Sequence, residues 1–143
     1  MQRDYILRLI EQAGTILKVL LARVRAGDAD RARVAQDLRR AANLGAFDFD
    51  ILRICDADGL RHLIAPTGET DPSRTWLAAE ILFLDGLDAH LDGRAEDAAL
   101  QLGKARILYR LLEPTAVLPS GFPETAQRIR EIDGLLSTEP PTA

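Results

Sequence analysis

Apolar residues recur with the period of an α-helix along almost the whole chain. Between Asp4 and Ala26 they fall at Ile6, Leu9, Ile10, Ala13, Ile16, Leu17, Leu20, Leu21 and Val24. Steps of three and four residues place them on one wide stripe, so the spacing predicts a single long helix. Gly27 then supplies a stop and Asp28 a cap for a second helix, Ala29 to Leu44, which Gly45 ends. That helix is more polar. Its apolar side, Ala32, Ala35, Leu38, Ala41 and Ala42, is built of small residues that let two helix axes approach closely. No useful stretch alternates with period two, which predicts the absence of a sheet.

Phe47 to Pro66 is too short for long helices. Asp48 and Asp56 stand ahead of the short runs Phe49 to Ile54 and Ala57 to Ala65, where they serve as N-caps. Asp71-Pro72 is a strong helix start, an aspartate cap followed by proline at the first helical position. The helix it opens, Pro72 to Asp92, is apolar nearly all round through Trp76, Leu77, Ile81, Leu82, Phe83, Leu84, Leu87 and Leu91. Such a helix belongs in the middle of a fold. After Gly93 a further helix runs from Arg94 to Glu113, with a main stripe of Ala98, Leu102, Ala105, Tyr109 and Leu112. A second stripe, Leu100, Ile107 and Leu111, needs its own cover. The expected cover is the last helix, about Phe122 to Leu136, through Phe122, Ile129, Ile132 and Leu136, after a proline-containing loop from Pro114 to Gly121. The reading is one domain over residues 1–136, with 137–143 as a frayed tail.

An internal repeat organises these helices. Gly27 to Ala32 (GDADRA) and Gly93 to Ala98 (GRAEDA) share the form G-x-A-[DE]-x-A, 66 residues apart, each between a long apolar helix and a smaller-residue one. At this level the chain resembles a tetratricopeptide repeat. With Gly93 as the turn glycine of that motif, Gly86 takes its small position, Ala98 and Ala105 its small second-helix positions, and Leu102 its large apolar one. Ala89, where an aromatic is usual, Asp85, where leucine is usual, and a late Pro114 depart from it. The first hairpin keeps Gly27 and Ala32, with Gln36 and Arg39 breaking the remainder. The opening DYILRLIEQ (Asp4 to Gln12) also looks like the start of a group of short, tetratricopeptide-like bacterial proteins of unknown function. The resemblance implies an all-α fold of about six helices, in stacked antiparallel hairpins forming a right-handed superhelix.

Composition narrows the function classes. The chain has 143 residues, 18 basic and 22 acidic side chains and a net charge of −4, so bulk attraction to nucleic acid is disfavoured. Its single cysteine excludes an intramolecular disulfide framework or a cysteine zinc cluster. Charges break every apolar run near the N-terminus, and no stretch has the length of a signal or a membrane span, so the expected setting is cytoplasmic, with no membrane partner. Asp56, Asp58 and Gly59 imitate part of a calcium loop, but Ile54 and Ala65 occupy positions that need oxygens, and a cap with a turn is the better reading. His62 and His90 have no metal-ligand spacing to an acid, and neither pairs with Cys55, which reads as a small core residue. No nucleotide-binding glycine motif occurs. The arginines of the second helix (Arg31, Arg33, Arg39, Arg40) alternate with aspartates as a solvated face.

These readings lead to a non-enzymatic expectation without cofactor or metal: a protein–protein interaction scaffold or adaptor. The alternatives are a small-molecule or metal-dependent enzyme or sensor with its site in the helical core, and a self-assembling subunit. A homo-oligomer is compatible with each. Glu80 stands out because it lies inside the apolar arc of its helix, where a carboxylate must find an arginine or lose its charge. By the tetratricopeptide register, Glu80, Phe83, Leu87 and His90 line a concave groove for a protein or peptide partner, joined by Leu17, Leu21 and Val24. The short segment Phe47 to Pro66 is expected to fill part of it.

Overall fold

The structure, a computed structural model, describes residues 2–65, 68, 71–112 and 124–137. Among these it has seven helices and no strand: α1 (Gln2–Arg25), α2 (Arg31–Leu44), α3 (Phe49–Ile54), α4 (Ala57–Ile64), α5 (Pro72–Leu91), α6 (Ala95–Arg110) and α7 (Thr125–Ser137). The all-α expectation holds. The two short runs are separate helices capped as expected: Asp48 accepts from Asp50 N and Ile51 N, and Asp56 from Gly59 N. Asp71 likewise accepts from Ser73 N and Arg74 N at the start of α5. The cap of α2 is Asp30, not Asp28, because the turn after α1 takes up two more residues. Ser137 belongs to α7, one residue past the expected domain limit. The expected loop at 114–121, the start at Phe122 and the tail from 138 lie outside the described residues.

Two hairpins dominate, α1 against α2 and α5 against α6. Their turns are built alike. Gly27 and Gly93 have φ of 71° and 78°, in the left-handed region where a side chain is strained. In each, the glycine N–H bonds three residues back, to Val24 O or His90 O. The next N–H bonds five back, Asp28 N to Arg23 O at 2.9 Å and Arg94 N to Ala89 O at 2.8 Å. This pattern satisfies the last carbonyls of a helix while reversing the chain. The following residues are less alike. Ala98 is buried, but Ala32 is exposed, and Val34 and Leu38 of α2 carry the packing instead. Gly86 faces Leu102 so closely that an added Cβ would lie 3.0 Å from its backbone nitrogen, which explains the glycine where α5 and α6 meet.

α5 is buried on nearly every side and forms the centre of the core. Asp85, whose spacing with Asp88 and Asp92 predicts a polar face of the helix, is buried too, because α3 covers it: Arg53 donates from Nε to Asp85 at 2.8 Å and from Nη2 to Asp97 at 2.8 Å. Burial pushes the Asp85 pKa above its ordinary value, and Arg53 offsets that only in part. Lys104 of α6 donates to the carbonyls of Leu52 and Arg53, satisfying the orphan end of α3. Burial lowers its pKa. α7 packs on α6 with Ile132 fully buried, yet Leu100 and Leu111 remain 54% and 45% exposed. The expected cover of Leu100 and Leu111 is therefore not made by the described part of α7, which is tied to α6 by the Arg106–Asp133 ion pair at 2.8 Å and enters the core through Ile132 and the buried Arg128.

Candidate functional site

A cavity of about 800 Å³ lies between α1, α5 and α7. The stripe of α1 supplies one wall with Leu7, Ile10, Gly14, Leu17 and Leu21, one or two residues per turn. α5 supplies the floor with Trp76, Glu80, Phe83 and Leu84, and α7 the opposite wall with Gln127 and Arg128, preceded by Glu124. Trp76 lies against the gap left by Gly14, where an added Cβ would approach the indole to 3.2 Å. The walls are mostly hydrocarbon, as in sites that bind by shape.

A buried polar cluster sits in the floor. Glu80 and Arg128 side chains are 9% and 8% exposed, and Arg128 donates to both carboxylate oxygens, from Nε at 3.0 Å and Nη2 at 3.4 Å. The Tyr109 hydroxyl of α6 donates to the same carboxylate. Burial first, then the Glu80 charge and hydrogen bond, hold the Tyr109 pKa well above its ordinary value, so this phenol stays a donor. Burial opposes the Arg128 charge, but the hydrogen bond and field of Glu80 outweigh it and raise its pKa. The guanidinium also lies 4.9 Å from the Phe83 ring centroid and reaches Glu124 at 3.1 Å. Glu124 has a φ of 70°, a left-handed conformation that costs about 1 kcal/mol or more for a side-chain-bearing residue. The ion pair expected for Glu80 is thus made, with Arg128 as the arginine.

The structure brings together half of the expected groove. Glu80 and Phe83 line the cleft, as do Leu17 and Leu21. Leu87 and His90 do not, since they lie beyond Leu84, the last lining residue of α5. Leu87 and Val24 are buried in the core and His90 is half-buried. At that end Arg25 of α1 holds Glu131 of α7 at 2.9 Å and ties the two walls together. Among the described residues, segment 47–66 contributes nothing to the cleft, because the contacts of Arg53 and Lys104 draw α3 onto another side of α5. Arg128, Tyr109 and Trp76 were not singled out from the sequence. The signal was a lone buried acid, whose partner had to come from an arginine on a later helix.

No protein family, curated protein or solved structure matches the chain. Among the described residues no group of three or more His, Cys, Asp or Glu is placed to hold a metal ion, and no helix is long and apolar enough to cross a membrane. What the site offers is an apolar trough with a neutralised polar floor.

Proposed function

We propose that the protein is a docking module of tetratricopeptide-like build, whose cleft receives a helix of a protein partner lying along α1. The dimensions of the cleft carry this reading. Its α1 wall runs from Leu7 to Arg25, a separation of eighteen positions, or about 27 Å at a rise of 1.5 Å each. Spread over that length, 800 Å³ is a mean cross-section of about 30 Å², against about 80–110 Å² for a whole helix. The trough therefore fits one row of side chains from a helix resting on its rim, the helix-in-groove mode.

The floor chemistry favours binding over reaction. Glu80, Arg128 and Tyr109 are matched to one another, which suits a wall that orients a partner. The tetratricopeptide-like reading draws on the shared turn at Gly27 and Gly93 and on the Gly86–Leu102 approach. A cytoplasmic setting stays part of the proposal, and a single cysteine, which can form no internal disulfide, is compatible with it.

Trp76 is the only tryptophan and reports on the cleft directly. Displayed helical peptides selected on the protein should carry apolar residues at i, i+3 or i+4 and i+7 and shift its emission. Leu21→Glu, which puts a carboxylate into the trough, should abolish that binding while leaving the circular dichroism melt near wild type. A selection that yields no binders, or binders indifferent to Leu21→Glu, would overturn the proposal.

A further inference from the structure

Four charged residues of α1 recur every seventh position with the sign order minus, minus, plus, plus: Asp4, Glu11, Lys18 and Arg25. Seven residues are close to two helical turns, so the four form one line along the helix. Glu11, Lys18 and Arg25 line the cleft. Asp4, Glu11 and Lys18 make no ion pair among the described residues, although most arginines of the chain do. Among the described residues no partner accounts for these three charges in register beside an apolar trough.

We infer that the helix received by the cleft is α1 of a second copy of this chain, running antiparallel and crossing between Gly14 and Thr15. This rests on the helix-docking reading and names its partner. About a two-fold axis at that point, residue numbers facing each other sum to 29. Glu11 then meets Lys18 of the second copy, Asp4 meets Arg25, and each pair occurs twice, as an isologous interface requires. A parallel arrangement in register would set like charges together, so the sign order selects one orientation.

In the same register Leu7, 38% exposed in the single chain, faces Ala22 of the second copy and lies next to its Leu21, between the two charge pairs. Tyr5 and Ile6, also exposed, extend the contact at the end of α1. At the crossing point Gly14 carries no side chain, and Trp76 rests there. Arg25 uses only Nη2 on Glu131, which leaves guanidinium donors for Asp4 of the second copy.

Charge reversal tests the register. Sedimentation equilibrium of the full chain across micromolar to submillimolar concentrations should show a monomer–dimer equilibrium that weakens with salt. Lys18→Glu should raise the dissociation constant about tenfold or more, since it sets Glu11 against a glutamate twice, and Glu11→Lys should do the same. The double swap, Glu11→Lys with Lys18→Glu, restores both pairs in this register and should return the constant to within about threefold of wild type. Both residues are exposed, so folding of each variant can be checked by its melt and either single variant serves if the other unfolds. A monomer at every concentration, a dimer indifferent to both single reversals, or a double swap no better than the singles each overturns the inference. If the chain is monomeric while selected peptides still shift Trp76 through Leu21, only self-docking fails. If peptides fail as well, the helix-docking reading falls with it.

Discussion

Replacing Arg128 by methionine removes the only cation in direct contact with the Glu80 carboxylate among the described residues. In the folded protein Glu80 would keep the Tyr109 hydroxyl as a donor and lose two charge-assisted hydrogen bonds, at 3.0 and 3.4 Å. With the Glu80 side chain 9% exposed, water does not replace them well. Removing one partner of a buried ion pair costs about 3–5 kcal/mol, because the other charge is left uncompensated. Methionine keeps the aliphatic stem and loses only the guanidinium, which also lies 4.9 Å from the Phe83 ring centroid, so the lost charge contacts dominate. For a chain of this size about 3 °C of melting temperature accompanies each kcal/mol, so the expected drop is about 10–15 °C. Urea unfolding at pH 7, followed by far-ultraviolet circular dichroism, measures the loss directly. A second variant, Glu80→Leu with Arg128→Met, should recover most of it, since an apolar pair of similar volume is often as stable as a buried ion pair. An Arg128→Met variant within about 0.5 kcal/mol of wild type, or a double variant no better than the single, would refute the argument.

Tyr109 gives a pH test with a definite sign: its folded pKa lies above the value of about 10 expected unfolded, so its contribution is intact below pH 10 and is lost as pH rises toward the folded value. In a Tyr5→Phe background, which leaves Tyr109 as the only tyrosine, phenolate absorbance should appear only as the helical signal collapses; absorbance rising first in a folded protein would contradict this. At the turns, Gly93→Val should cost about 1–2 kcal/mol purely through backbone strain, because nothing lies within 4 Å of the added Cβ. Gly86→Ala should cost about 1–3 kcal/mol by the opposite mechanism, contact with the Leu102 backbone, and unchanged melts for both would remove the hairpin argument.

Much of the fold was legible because helical order is local. Caps at Asp48, Asp56 and Asp71, turns at Gly27 and Gly93 and the central place of α5 each follow from residues a few positions apart. Errors arose where a partner came from far along the chain. Asp85 looked solvent-facing because its helical neighbours Asp88 and Asp92 are polar, yet Arg53, 32 residues earlier, pulls α3 over it. Leu87 and His90 shared the face of Phe83 on a wheel, but the Arg25–Glu131 tie joins α1 to α7 at that end. Leu100 and Leu111 stay exposed because α7 follows Glu80 inward. A wheel orders the residues of one helix and carries no information on where a neighbour ends. The seven-residue charge line of α1 was visible in the sequence, hidden behind a stripe read for its apolar members alone.

The two buried carboxylates of α5 explain how so uniform a helix acquires an orientation. With apolar residues on almost every side, apolar burial alone distinguishes poorly between rotations of α5 about its axis, and the Gly86–Leu102 approach is one packing feature that does select a rotation. Glu80 and Asp85, five residues apart, point about 140° away from each other. Arg128 of α7 matches the first and Arg53 of α3 the second, at 3.0 and 2.8 Å. Rotating α5 by one position would strand both charges, at several kcal/mol each. We therefore read the pairs as orienting devices: they decide which side of α5 receives α3 and which receives α7. They also create the cleft, since α7 is bound to α5 by Arg128 and to α6 by the Arg106–Asp133 pair, and reaches α1 through Arg25–Glu131 at one end. On that reading the Glu80→Leu, Arg128→Met variant keeps its stability yet loses the sharp near-ultraviolet dichroism of Trp76, because the floor of the cleft no longer has a single arrangement. An unchanged band would mean that packing by itself orients α5, and that the polar pairs take no part in fixing its rotation.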